Sequence, residues 1–404
     1  MPFEWFVALR YLREDKAQTA LVLAAVSVGV AVIVFLSALI GGLQTSLLKQ
    51  TLGSQPHVVL RTPDEEPRPV GASPPFAIAR LVEKPGQRVR SVDQWPRVLA
   101  DAEAVTGVRC ASPTVSGPAF AQRGDAERPI SFRGIDPDRF PCVVDVRAAI
   151  REGSFRVGGD DVVVGIELAR DLGVGPGDKL RVVTPSGAKT LVTVAGVFDL
   201  GNKDVNLRWV LGSLRQGQSL LELPGGVTSI ELKVERIFEA EAIAQTLAER
   251  TGLTADSWMR QNSQLLAGLQ AQASSKSMIQ FFVVVAVALG IASVLIVSVV
   301  QKSKEIGILR AVGTRTRSVS RIFLIQGGVL GFAGSVVGCA IGAALSIFFE
   351  GVARNADGSA RFPVDLSPSL FFGATILAVL VGLLSAALPA RRAGRLDPAT
   401  AIRG

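Results

Sequence analysis

Four stretches of the 404-residue chain contain no charged side chain at all: residues 17–48, 277–301, 322–349 and 366–390. Each exceeds the roughly 20 apolar residues that a helix needs to cross a bilayer core, so four transmembrane helices are expected. Only 19% of the residues are charged and 48% are hydrophobic, whereas a soluble domain carries about a quarter charged residues. That balance argues against an all-soluble enzyme and against disorder.

The net charge of +8 resembles a nucleic-acid signal until it is located. Residues 1–16 hold Arg10, Arg13 and Lys16 against Glu4, Glu14 and Asp15. Residues 302–321 hold six basic side chains against Glu305, and residues 391–404 hold Arg391, Arg392, Arg395 and Arg403 against Asp397. These three segments carry the whole excess, and basic and acidic residues balance elsewhere. The positive-inside rule therefore places both termini and the 302–321 loop in the cytoplasm of a bacterial inner-membrane protein, with the 49–276 and 350–365 loops outside. Nucleic acid is not an expected partner. The first uncharged run is too long for a cleaved signal core and reads as an uncleaved anchor.

A single histidine, His57, and three cysteines argue against a histidine-based catalytic triad and against a His/Cys metal site. Cys110 and Cys142 leave two readings open, a disulfide in an oxidising compartment or two buried thiols. The glycines and lysine from Gly173 to Lys179 miss the phosphate-loop spacing, and Pro176 removes an amide that such a loop would use. The spans hold no Asp, Glu, Lys, Arg or His, the residues of intramembrane proton and ion relays. A self-powered pump is therefore not expected, and neither is a catalytic site in this chain.

The 49–276 loop is large enough for one or two domains. Residues 56–60 read as a strand, 62–75 as an exposed proline-rich loop and 95–105 as a helix that stops at Gly107 and leads into a strand. From about residue 131 to 228 the pattern becomes mostly β, with a tight hairpin around Pro185-Ser186-Gly187. A strand over 229–234 and a helix over 238–250 follow, and from Ser257 a helical pattern runs on into the second span. The expected fold is a four-helix membrane protein with a large extracytoplasmic α+β domain, carried on helical stalks between helices 1 and 2.

Two motifs carry the functional expectations. In the 302–321 loop, Glu305, Ile306, Gly307, Ile308, Leu309, Arg310, Ala311, Val312 and Gly313 form a short helix. Ile306, Leu309 and Val312 recur at helical spacing as an apolar ridge, with Lys302 and Lys304 on a solvated basic flank. The helix would either lie on anionic lipid or dock into a groove of a cytoplasmic partner. In the third span Gly327, Gly331, Gly334, Gly338 and Gly342 form a small-residue ladder that permits close helix approach, against a neighbouring span or a second subunit. Gln326 beside it needs a hydrogen-bond partner if buried.

The run Glu305–Gly313, the sequence Phe323-Leu324-Ile325-Gln326-Gly327, the ladder and the tail from Pro389 to Arg403 resemble the FtsX-like permease domain of the MacB-type ABC transporter superfamily. Ala8 to Arg13, Leu52 to Val58, and Trp258 with Asn262 are similar to the lipoprotein-releasing permeases LolC and LolE. The resemblance implies a permease subunit without cofactor of its own. A cytoplasmic ABC ATPase dimer, holding ATP and Mg, would push the short helix, and a second permease copy or paralogue and a periplasmic partner would complete the assembly. The cargo would be lipophilic and taken at the outer face of the membrane; the alternative is an FtsX-like mechanotransmission module that switches a periplasmic enzyme. Two departures stand out: family members often carry glutamate where Gln326 stands, and the 184–190 hairpin lacks the long hook of a LolC-like permease.

Overall fold

The computed structural model describes residues 3–64, 90–352 and 364–395. Most of the proline-rich 62–75 loop, most of the 350–365 loop and the tail beyond Arg395 lie outside the described residues. The chain divides into two compact units, residues 1–46 with 267–404, and residues 47–266.

Among its described residues the first unit contains four helices long and apolar enough to cross a membrane: span 1, Lys16–Gly53; span 2, Ser263–Gln301; span 3, Thr316–Val352; and span 4, Pro368–Gly394. A helix is the natural state of such segments because lipid offers no partner to an unpaired backbone group. Spans 1 and 2, at 38 and 39 residues, reach about 57 Å at the α-helical rise of 1.5 Å per residue. That is nearly twice the hydrocarbon thickness of about 30 Å, and both helices continue beyond their uncharged runs as stalks. Val22, Val26 and Val30 of span 1, Ile291 and Leu295 of span 2, Leu330 of span 3 and Ala378 of span 4 share one core. Phe281, Leu289, Phe348 and Leu384 are exposed on the outer faces, as lipid contact requires. Two shorter helices complete the unit, an N-terminal helix over Phe3–Glu14 and a loop helix over Ser303–Ala311.

Among its described residues the second unit is built on ten strands: β1 Val58–Arg61, β2 Val108–Arg123, β3 Ala126–Ile135, β4 Ile150–Gly153, β5 Asp161–Gly165, β6 Lys179–Val183, β7 Lys189–Phe198, β8 Trp209–Ser213, β9 Ser229–Val234 and β10 Thr254–Ser257. Their order is β10-β1-β9-β2-β3-β8-β5-β7-β4, with β6 joining β7 back to β2. The six strands β2-β3-β8-β5-β7-β6 thus close a barrel, sealed where Phe120–Gln122 of β2 meet Arg181–Val183 of β6. Closure removes the open edges that invite aggregation, and Phe132, Val162, Leu180, Val194 and Val210 fill the interior. The antiparallel β10-β1-β9 ladder packs instead against helices Trp95–Glu103 and Ala240–Thr251, around the buried Trp258.

The β-rich region begins at Val108, upstream of the expected 131. The strand expected after Gly107 is β2, which belongs to both parts, pairing β9 through Thr114 and β6 from Phe120. Pro118 falls in the gap between those two partners, the edge-like position in which sheets accept proline. The hairpin of β6 and β7 forms as expected, turning through residues 184–188 with Gly187 at φ +90°. Cys110 and Cys142 are bridged, settling that open pair and tying β2 to the Phe140–Val143 turn. Arg133 of β3 pairs with the buried Glu231 of β9 and stacks 4.1 Å from the Trp209 ring.

Candidate coupling site

Residues Ser303–Ala311 form the short helix between spans 2 and 3, and Gly313 ends it. At φ +103° that glycine adopts the left-handed conformation that costs a side-chain-bearing residue energy. The Gly313 amide donates to Arg310 O at 3.0 Å and the Thr314 amide to Leu309 O at 3.1 Å, the paired bonds of a Schellman stop. The helix is therefore fixed in length by its own sequence.

The ridge of Ile306, Leu309 and Val312 is not one face. At 3.6 residues per turn, positions six apart diverge by roughly 120°, so its two ends point differently. Ile306, 1% exposed, turns inward onto Val299, Val319, Phe323, Ala390 and Ala393. Gly307 is buried beside it, Leu309 and Arg310 are half-buried, and Glu305, Ala311 and Gly313 are exposed. The outward apolar pair is Ile308 with Val312, 55% and 84% exposed, four residues apart and hence on one face. Helical spacing identified the helix but could not say which stripe its neighbours would cover.

Lys302 is not a solvated flank. Its side chain is 13% exposed, and its ammonium donates to Glu14 Oε2 at 2.9 Å and Glu305 Oε1 at 3.2 Å. It also lies 5.4 Å from the Tyr11 ring centroid. The bond to Glu14, with Glu305 adding to it, raises the Lys302 pKa above the ordinary lysine value. Glu14, bonded to Arg10 and to Lys302, is held below the usual carboxylate range. Burial, reinforced by the charge of Glu305, pushes the Tyr11 phenol up to about 12. Residue spacing alone could not find this cluster, because Glu14 and Lys302 stand 288 positions apart.

All five ladder glycines pack within the chain. A methyl group added at Gly327 would strike Gly382 O, and one at Gly331 would lie 2.6 Å from Ala378 O, both in span 4. Lower on the ladder the partner changes to span 1: Gly334 meets Val26, Gly338 would sit 2.6 Å from Ser27 O, and Gly342 3.0 Å from Ala31 O. One stripe therefore receives two helices in succession, span 4 at its first two rungs and span 1 at the other three. Gln326 is 2% exposed, and its Oε1 has no partner among the described residues.

Comparison with known proteins agrees with this division. Residues 19–250 match the MacB-like periplasmic core domain, and residues 277–398 match the FtsX-like permease C-terminal region. The chain is 25% identical to the lipoprotein-releasing system transmembrane protein LolC of Neisseria meningitidis serogroup B, with 99% of each chain covered. It is 22% identical to LolE of Haemophilus influenzae, with 98% of each covered. The macrolide export ATP-binding/permease protein MacB of Neisseria gonorrhoeae is 26% identical over 53% of this chain and 34% of its own length. A periplasmic core model covering more than half of the sequence, followed by the permease model over the last three spans, leaves one assignment: the chain belongs to the MacB/FtsX-like family of ABC transporter permeases, as a multi-pass membrane protein with a periplasmic domain.

Proposed function

We propose that this chain is the moving half of an ABC transporter whose separate ATPase dimer, holding ATP and Mg, docks on Ile308 of the Ser303–Ala311 helix and on Val312 just past its end. Closure of that dimer displaces the helix, and spans 1 and 2 carry the displacement into the periplasmic domain. The work is extraction or expulsion of a lipophilic cargo, a lipoprotein, lipid or hydrophobic compound, at the outer face of the inner membrane. A second permease copy or paralogue completes the membrane part. One observation carries the reading: the helix is fastened on its near side by Ile306 and presents an apolar pair on its far side. Glu305, exposed beside that pair, sets its register by charge-assisted hydrogen bonds, which exceed neutral ones in strength. The likeness to the LolC, LolE and MacB proteins supports the cargo class.

Val312→Asp in the purified complex is expected to weaken ATPase binding by about 2 kcal/mol, as loss of a well-packed apolar anchor does, whereas Lys304→Ala changes little. The reverse ordering would make the helix a lipid-surface element. Hydrolysis that stays unaffected by lipoprotein or lipid while a periplasmic enzyme is switched would assign the stroke to signalling.

A further inference from the structure

Lys302 stands where three elements meet. It follows Gln301, the last residue of span 2, and precedes Ser303, the first of the short helix. Its amide donates to Ser298 O at 3.0 Å, and its carbonyl accepts from Ile306 N at 2.9 Å, so its backbone belongs to both helices. Its ammonium reaches Glu305 on the short helix and Glu14 at the end of the N-terminal helix. Glu14 lies two residues before Lys16, where span 1 begins.

The N-terminal helix is itself fastened. Ala8 and Tyr11 pack on Ile322, and Glu4 approaches Arg321 at 3.9 Å. Farther along, spans 1 and 2 are tied again. Gln18 Nε2 donates to Val294 O at 2.9 Å and Gln280 Nε2 to Ser37 Oγ at 2.9 Å. Gly29 admits Val287 where a methyl group would clash. Spans 1 and 2 are the two helices that run on into the 47–266 unit.

We propose that Lys302 is a positioning residue that pins the cytoplasmic ends of spans 1 and 2 to the short helix, so that one displacement moves both spans together. The source of the displacement rests on the reading above; the pin itself does not. The Lys302 side chain is 13% exposed, and its ammonium lies 5.4 Å from the Tyr11 ring centroid. Lys302→Met keeps the stem and removes the charge. Glu14 then retains Arg10 at 2.7 Å and Glu305 is half exposed to solvent, so no carboxylate is stranded and the variant folds.

The test uses the full chain in a Cys339→Ser background, with nitroxide labels at Leu21 and Val300, exposed positions toward the cytoplasmic ends of spans 1 and 2. Without nucleotide, Lys302→Met is expected to broaden the distance distribution and Lys302→Arg to restore it. Glu14→Gln combined with Lys302→Met should be no broader than Lys302→Met alone, since both remove one interaction. An unchanged distribution in Lys302→Met overturns the pin. With the ABC ATPase that copurifies with the chain, wild type should hold the distance fixed through ATP addition. Lys302→Met should bind the ATPase normally yet let the distance change. Loss of binding in Lys302→Met equal to that in Val312→Asp would make Lys302 a docking residue and overturn the proposal. Full ATPase binding by Val312→Asp would sink the docking reading, with the nucleotide-free distances still deciding the pin.

Discussion

At the scale of single residues, the one histidine of the chain reports on the periplasmic domain. His57 is 4% exposed and locked on both sides, its amide donating to Leu232 O and its carbonyl accepting from Trp258 N, each at 2.9 Å. Its Nδ1 lies 3.2 Å from both the amide nitrogen and the carbonyl oxygen of Val234. Burial, with the nearby Lys233 charge, lowers the imidazole pKa from its ordinary value. The folded chain therefore holds the ring neutral while the unfolded chain protonates first, near pH 6.5. Stability from this site is complete above that value and is lost as pH falls toward the lower, folded pKa. Denaturation of the detergent-solubilised protein between pH 8 and about 5 should show that decline, and His57→Gln should flatten it. An equal slope in both proteins would show that His57 does not couple folding to pH.

Glycine in the spans shows, at the scale of elements, how packing divides residues of one type. Gly382 of span 4 and Gly327 of span 3 face each other backbone to backbone, whereas Gly373 of span 4 and Gly290 of span 2 have nothing within 4 Å of an added methyl group. Gly382→Ala should therefore cost about 1–3 kcal/mol through forced separation of spans 3 and 4. Gly373→Ala should be neutral or stabilise by up to about 1 kcal/mol, because alanine is the better helix former. Thermal unfolding of both variants in one detergent decides it, and matching shifts would remove the packing explanation. The ladder was legible in the sequence because its three- and four-residue rhythm is local. Its division between span 4 and span 1 was not, since that depends on which neighbours arrive. The same boundary runs through the rest of the molecule. The turn at Gly187 and the four spans follow from short-range chemistry and could be read directly. The inward turn of Ile306, the burial of Lys302 against Glu14 and the closure of β6 on β2 join segments distant in sequence, and periodicity carries no record of them.

For the whole molecule, the disulfide and the charge distribution constrain one another. Cys110 and Cys142 are joined within the 47–266 unit, while Cys339 in span 3 is a free thiol. A bridge of this kind persists in the periplasm and is reduced in the bacterial cytoplasm, so its redox state reports the side of the membrane on which that unit folds. Charge gives an independent answer, since the basic excess of residues 1–16, 302–321 and 391–404 is retained inside. Both place the 47–266 unit in the periplasm, as membership of the MacB/FtsX-like family also does. Cells quenched in acid and alkylated under denaturing conditions should therefore yield a chain with one modified cysteine before reduction and three after it, the full cysteine complement. Loss of the bridge in a Cys110→Ser/Cys142→Ser variant should lower the stability of that unit by about 2–4 kcal/mol, because the bridge closes a long loop and restrains the unfolded chain. Three modified cysteines before reduction would mean that the unit had folded in a reducing compartment, and would contradict the charge-based orientation together with the bridge.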